Sequence, residues 1–412
     1  MRRAAALALI AWCLAGETAS AAVLGGAARA ALKLPAGVPL AGYSRRHGKP
    51  STGMHDPVSA RALVLKDGGT TAALVSCDLL MIDEQLFETV RRRLIADGAP
   101  EDLFLLLAAT HTHSGPGAYG RRFAEKISMG HYNPRVAECI VEAIAAAVRD
   151  ASQRLVPVSV GYAAVPTEGL VLNRVKDDGP VDNELVVAAF YPTGRTAPLA
   201  VLVNFAAHPT TLGAWNMELS ADYPGVIARE IEGQMPGTVC MFLAGSVADQ
   251  GPAKSGEGFA RAEALGAPLA GQVKAVLKDL RPSVPEKVSG AQRRMPLPPA
   301  RVRLTSWLRL PRWLARALVD DDATLSRLTI GSVVLLGAPC DLSAALGQRL
   351  KEVARAEGLD PVVVGFACDY IGYCVPESLY REREYEASMA FNGPKAGELV
   401  TEELGRMVGH GE

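Results

Sequence analysis

Leu103–Gly117 reads LFLLLAATHTHSGPG, an apolar run that ends in two histidines and then breaks at Ser114-Gly115-Pro116-Gly117. The run is long enough for a buried strand. Residues two apart in a strand project from one face, so this spacing predicts that His111 and His113 stand together at one sheet edge. A turn rich in Gly and Pro then lets the backbone come close to whatever binds there. The chain holds seven histidines and places two of them here. Imidazole is the commonest metal ligand and the usual acid–base group near neutral pH. The stretch therefore reads as a catalytic site built around zinc.

Five more short apolar runs share this form: Thr71–Ser76, Leu199–Phe205, Val239–Leu243, Ser332–Leu336 and Pro361–Phe366. Most are continuous rather than alternating, as in strands covered on both faces by helices. Amphipathic stretches at Pro134–Asp150, Gly225–Gly233 and Ala260–Leu280 lie between them. The alternation predicts an α/β fold with a mixed or mostly parallel sheet flanked by helices. The residues just past each run carry the chemistry: Asp78, His111 and His113, His208, Asp249, Asp341, then Asp369, Tyr370 and Tyr373. In open α/β sheets ligands bind outside the carboxyl ends of the strands. His111 and His208 both follow strands and can reach one metal. Two histidines, a carboxylate and a phenol oxygen meet the ligand requirement of a catalytic zinc.

The 412 residues suffice for one large domain or two smaller ones. With 43 Lys and Arg against 44 Asp and Glu, the net charge of −1 gives a polyanion no electrostatic support, and no nucleic-acid partner is expected. Arg2-Arg3, the apolar Ala4–Leu14 and Ala19-Ser20-Ala21 read as an export signal cleaved after Ala21, too short in its apolar part to span a bilayer comfortably. Residues 22–412 are then expected to form a single exported domain, periplasmic or secreted from a bacterial-type cell. Cleavage leaves six cysteines, of which Cys368 and Cys374 are the first pair to test for a disulfide. The competing reading is that most are small buried hydrophobes. None has C-x-x-C spacing, which disfavours a thiolate zinc site.

Residues 295–322, MPLPPARVRLTSWLRLPRWLARALVDDD, form an unusual insert with five arginines, Trp307 and Trp313. A basic amphipathic segment with Trp can lie in a membrane interface, which makes 301–318 a candidate for peripheral membrane contact. A surface helix hairpin that covers the core and solvates its arginines is the favoured reading.

The chain resembles the neutral/alkaline ceramidase family, zinc-dependent amidases that cleave N-acylsphingosine. The resemblance is carried by THTHSGPG, LVLNRV, NFAAHPTT, AGSVADQGP, GAPCDLSAALGQRLK and CDYIGYCVPESLYREREYEASMAFNGP, in the family's order between Gly42 and Pro394. It implies one zinc per chain, bound by His111, His208, Asp341 and a tyrosine of the Y-x-x-Y segment, Tyr373 in preference to Tyr370. It also implies that His113 and Arg174 face the scissile amide and the head group. Two positions depart from the family pattern. Asp341 stands where the family has Glu, and Gly251 stands where it has the Ser of G-D-x-S-P. The chain also ends just past the Y-E-A segment, without the β-sandwich domain that follows in the family.

These residues together predict metal-assisted attack of water on an acyl carbonyl. His113 serves as proton carrier to the leaving amine, Tyr370 as hydrogen-bond donor to the developing oxyanion, Arg174 as a forked anchor for the substrate, and Asp249 as a group that orients a histidine ligand. The substrate is an N-acyl lipid or another small N-acyl compound. An ester or other acylated small molecule, or a catalytically silent binding protein of the same fold, are the alternatives.

Overall fold

The computed structural model describes residues 22–303, 310–316, 319–382 and 385–409. The proposed export signal lies outside these residues, as does part of the 301–318 segment. Eight strands form the larger sheet: β1 (Leu24–Ala31), β2 (Ser59–Asp67), β3 (Thr70–Cys77), β4 (Phe104–Ala109), β5 (Val156–Pro166), β6 (Glu184–Pro192), β7 (Ala200–Phe205) and β8 (Val239–Ala244). Their order is β8-β7-β6-β5-β1-β2-β3-β4. The two outer pairs, β8 with β7 and β3 with β4, are parallel, and every pair between them is antiparallel. The sheet is thus mixed, and parallel pairing is confined to its edges.

A second sheet runs β9 (Val288–Pro296), β10 (Asp322–Ile330), β11 (Val333–Gly337), β12 (Asp360–Val364), with only β11 and β12 parallel. The 295–322 insert is the excursion between β9 and β10, which pair at their far ends through Pro296 and Asp322. Trp313 on it stands exposed.

Helix α1 (Pro134–Ser152) shows how the layers close. Asn133 caps its N-terminus by accepting the Arg135 N–H, and Pro134 occupies the first turn. Its apolar face, Val136, Ile140, Ile144 and Val148 among others, is buried on the large sheet. The approach to β1 is close: a Cβ on Gly26 would lie 2.2 Å from the Ala151 carbonyl oxygen. Only glycine fits there. Helices α2 (Asp222–Gln234) and α3 (Ala260–Asp279) pack on each other, and α4 (Ala344–Ala356) covers β12.

The sheets meet where the site forms. Past β4 and β12, Ala109 donates its N–H to Phe366 and Cys368 donates to Leu107. Past β8, Gly365 donates to Ala244. The carboxyl ends of all the parallel strands therefore converge on one seam. None of the six described cysteines forms a disulfide, and all but Cys139 are buried. The Cys368 thiol instead lies 3.3 Å from the Ser326 hydroxyl, and burial pushes it up to about 11. The small-hydrophobe reading holds.

Candidate metal centre

His111 and His113 lie just past the end of β4 rather than within it, so strand periodicity is not what pairs them. His111 takes a left-handed backbone, φ 62°, which is uncommon outside glycine and turns the chain sharply. His208 arrives from β7 on the loop Ala206–Pro209, and the His113 N–H donates to the Pro209 carbonyl, tying the two loops together. The three rings meet at their Nε2 atoms: His111 to His208 2.8 Å, His113 to His208 3.1 Å, His113 to His111 3.2 Å. The cluster is of the kind that can hold a metal ion.

The Nδ1 atoms separate the three. That of His111 lies 2.6 Å from the Leu80 carbonyl and that of His208 lies 3.2 Å from the Val247 carbonyl. A carbonyl partner fixes the proton on Nδ1 and turns the Nε2 lone pair inward, the usual arrangement of a ligating histidine. His113 has a buried Nδ1 without a hydrogen-bond partner. Its ring packs against Gly42, where φ is 99° and an added Cβ would lie 2.5 Å from that Nδ1. Burial holds all three imidazoles neutral, His111 down to about 3.

Asp341 enters from the end of β11. Its N–H donates to Gly372, and it pairs across a two-residue parallel ladder with Tyr373. The carboxylate is fully buried, with Oδ2 accepting the Tyr370 hydroxyl at 2.7 Å and Oδ1 without a hydrogen-bond partner, 3.6 Å from His111 Nε2. Desolvation lifts this acid to about 7 despite Tyr370 and Arg174. An orphaned buried carboxylate oxygen beside the inward-facing Nε2 of His111 adds an oxygen donor to a histidine cluster that can hold a metal ion, and donors of this chemistry fit zinc. Asp341 reaches His111, at 3.6 Å, with its shorter side chain.

The contacts of three expected site residues bear on their roles. The Tyr370 hydroxyl donates to Asp341 Oδ2 at 2.7 Å. Arg174 closes its fork on the Ala248 carbonyl, Nε 3.1 and Nη2 2.7 Å, while Nη2 also donates to the Tyr373 hydroxyl at 3.1 Å and Nε faces Glu386 at 3.2 Å. It lies behind Tyr373 and is not among the residues lining the cavity. Asp249 touches no histidine. Its Oδ1 accepts Ala344 N–H and Gln250 Nε2, its Oδ2 accepts Asn173 Nδ2, and its carbonyl accepts Arg174 N–H. Next to it, the Gln250 carbonyl accepts the His208 N–H. Asp249 therefore pins the segments that carry Arg174 and Asp341, and reaches His208 only through its neighbour. A Cβ on Gly251 would lie 3.3 Å from Arg174 Cβ, so this position abuts the arginine stem.

Sequence reasoning assigned no role to Tyr385, Glu386, Gly42 or Arg46. Tyr385 and Glu386 belong to the Y-E-A segment, whose presence was a signal without a role. Arg46 is buried and donates to the carbonyls of Ala41 and His113, at 2.8 and 2.6 Å, holding the histidine loop from behind. A cavity of about 160 Å³ opens on His111 and His113, lined by Tyr370, Tyr373 and Tyr385 with Met81, Ile371 and Phe391.

Comparison with known proteins points the same way. The model of the N-terminal region of the neutral/alkaline non-lysosomal ceramidases matches residues 33–259. The neutral ceramidase of Mycobacterium tuberculosis is 27% identical over 218 residues, 47% of this chain and 33% of that protein. The neutral ceramidase of Pseudomonas aeruginosa is 28% identical over 204 residues, 46% of this chain and 30% of that protein. The chain thus matches about a third of the length of these curated relatives. In fold, it is similar to the crystal structure of the Pseudomonas aeruginosa neutral ceramidase, with TM-score 0.81 at 21% identity over 94% of this chain and 74% of the other. A ceramidase complexed with C2 gives TM-score 0.82 at 20% identity over 94% and 75%.

Proposed function

The chain belongs to the neutral/alkaline non-lysosomal ceramidase family, and from that premise we propose that it is an exported zinc hydrolase that cleaves the N-acyl amide bond of a lipid-like substrate. The observation that carries this reading is the unpartnered, buried Oδ1 of Asp341, 3.6 Å from the Nε2 of His111, which itself lies 2.8 Å from the Nε2 of His208. His111, His208 and Asp341 hold the ion. Tyr373 completes the set: it neighbours Asp341 across the ladder, and Arg174 opposes the burial that otherwise disfavours its phenolate.

Zinc bound there supplies a Lewis acid that lowers the pKa of water from about 15.7 towards 7. The remaining work falls to the protein. Leu80 and Val247 fix the ligand tautomers, and Tyr370 turns Asp341 so that Oδ1 faces the histidines. His113 keeps its role as proton carrier in this reading, because its ring lines the cavity where substrate would sit and its Nδ1 is not fixed as those of the two ligand histidines are. With Tyr370 and Tyr373 committed to Asp341 and Arg174, the exposed Tyr385 is the cavity tyrosine left to donate to the developing oxyanion, a contact worth roughly 3 kcal/mol. Gly251 offers no nucleophile, which leaves attack to water.

The test is metal content together with turnover. Mature protein should bind one zinc and release fatty acid from N-acyl substrates, and both should vanish with chelator and in His208→Ala. A metal-free protein indifferent to chelator would overturn the proposal, and hydrolysis of esters alone would move the substrate class to esters. The export component is tested by expression with and without residues 1–21 and assay of the periplasm.

A further inference from the structure

The cavity beside the histidines has a lining and a volume that bear on the substrate itself. Tyr370, Tyr373, Tyr385 and Phe391 line it together with Met81 and Met389. Tyr373 and Tyr385 meet edge to face, 5.9 Å between ring centroids. Aromatic rings and methionine sulfurs favour a flat, polarisable, apolar guest. The volume of about 160 Å³ sets the scale. A cavity of roughly 150 Å³ takes a benzene ring, whereas sites for drug-sized ligands run to about 300–1,000 Å³. Roughly six carbons therefore fill this space, and a long acyl tail does not fit within it.

The wall at Phe391 is fixed from two sides. Its ring lies over Gly372, where φ is 89° and an added Cβ would meet Phe391 Cδ2 at 2.8 Å. Opposite, the Phe391 carbonyl accepts the Arg301 N–H at 2.6 Å, and Asn392 Nδ2 donates to the carbonyls of Pro298 and Asp320 at 3.2 and 3.0 Å. Pro298, Arg301 and Asp320 belong to the excursion between β9 and β10, which also brings Val319 to the cavity. Asp320 closes a two-pronged ion pair with Arg122 at the same wall, Nη1 to Oδ2 2.5 Å and Nη2 to Oδ1 2.8 Å. A tail longer than the cavity meets that ion pair, whose desolvation opposes its passage. The segment that stands out in the sequence for its arginines and tryptophans thus supplies a wall of the cavity.

We propose that this cavity receives one half of the substrate and restricts it to a compact apolar group of aromatic-ring size beside the scissile amide, with Phe391 setting the limit and any long chain left to the other half. This rests on the reading of the site as an N-acyl amide hydrolase. The group arrives either as the acyl half, in the manner of phenylacetyl, or as the amine half, in the manner of phenethylamine. The shared chemistry is a single ring close to the amide, which matches the cavity in volume and in lining.

The zinc-loaded full chain is assayed with two series of amides, each below its aggregation concentration. One varies the acyl half on ethanolamine through acetyl, hexanoyl, phenylacetyl and dodecanoyl. The other varies the amine half of acetamides through ethylamine, hexylamine, phenethylamine and dodecylamine. In the series whose variable half enters the cavity, kcat/KM should peak at the hexyl-sized or ring-bearing member and fall about tenfold or more at the dodecyl-sized one. Phe391→Ala should move that same series, bringing the longest member to within about threefold of the ring-bearing one. Phe391 is half-buried, so its truncation leaves the buried core in place. Val319→Phe narrows the space from the excursion and should move the optimum the other way, towards the shortest member. Rates that climb through the longest member in both series, or profiles that neither variant moves, would overturn the size limit while leaving the amidase reading intact. Cleavage of no amide would remove the amidase reading, and calorimetry on the intact amides would then decide the cavity. Tighter binding of the ring-bearing member than of the longest one in either series, lost in Phe391→Ala, would support the limit, and the reverse order would overturn it.

Discussion

The Nε2 atoms of His111 and His208 lie 2.8 Å apart although 97 residues separate them in the chain. They are brought together from the two sides of one sheet, His111 past the edge strand β4 and His208 past β7, next to the other edge, while Asp341, past β11 of the second sheet, lies 3.6 Å from His111. Each ring is locked from behind by a different main-chain carbonyl, Leu80 for one and Val247 for the other. A site built this way is preorganised by backbone, and its ligands should be separable from its proton carrier by mutation.

His208→Ala and His111→Ala should each lose zinc and turnover together. The fold should survive, since both rings sit at loop ends and the cores of the two sheets do not depend on them. Stoichiometric zinc in either variant, measured by atomic absorption, would show that the ligand set is wrong.

His113→Ala should behave differently. Its ring lines the cavity, and its Nδ1 is not fixed from behind as those of His111 and His208 are, so in this reading it serves the substrate rather than the ion. Zinc content should stay near one per chain while kcat falls on the order of 10²–10⁴-fold. Substrates with good leaving groups should be hurt less, because they need less protonation as they depart. Zinc loss equal to that of His111→Ala would make His113 a ligand.

Gly42→Ala should reproduce part of that defect from a distance. The added Cβ meets His113 Nδ1 at 2.5 Å, and φ of 99° is strained for any L side chain. The ring must move or the loop must. We expect a stability loss of about 1–3 kcal/mol and a kcat loss greater than that loss of fold explains, read from urea unfolding beside turnover of the folded fraction. Wild-type kcat in a destabilised variant would mean that the position of the His113 ring does not matter.

Tyr370→Phe removes the hydroxyl that Asp341 Oδ2 accepts and leaves both carboxylate oxygens buried without a hydrogen bond. The partner that orients a ligand typically contributes 10–100-fold in metal affinity. Competition with a calibrated chelator should show zinc binding weakened by that factor, with stoichiometry recovered at excess zinc. Unchanged affinity would return Tyr370 to the role of substrate donor.

The sequence made the edges of this fold legible and hid its middle. All six apolar runs lie at strands that pair in parallel, where burial on both faces leaves continuous Val, Leu and Ala. The strand β1, LGGAARAA, carries no such signature because α1 lies so close that Gly26 cannot bear a side chain. β9, VSGAQRRMP, is equally obscure: Arg293 and Arg294 point outward to pair with Glu403 and Asp322. Both are held by their neighbours in the sheet, which local pattern does not encode. In the site, His111, His208 and Asp341 were legible because each ends a run. Arg46 was not, since it acts through carbonyls of Ala41 and His113 and main-chain partners leave no motif.

The same reasoning gives Asp249 a role that its position in AGSVADQGP conceals. Its two carboxylate oxygens accept three donors, the N–H of Ala344 and the side-chain amides of Gln250 and Asn173, from three separate stretches of chain. Burial raises its pKa and those donors oppose the rise, so the carboxylate is held in place by hydrogen bonds rather than by a cation. Asp249→Ala leaves the three donors buried without that acceptor, at about 1 kcal/mol or more each, and should lower unfolding free energy by roughly 3 kcal/mol. Asp249→Asn keeps one oxygen for Ala344 but turns an amide towards Asn173 and should fall between the two. Zinc affinity should decline in the same order, because Asp341 lies three residues before Ala344 and His208 hangs from the Gln250 carbonyl. Urea unfolding of the metal-free protein, set beside chelator competition of the loaded protein, separates the effects. An Asp249→Ala protein of wild-type stability that had lost its zinc would instead place this carboxylate at the metal.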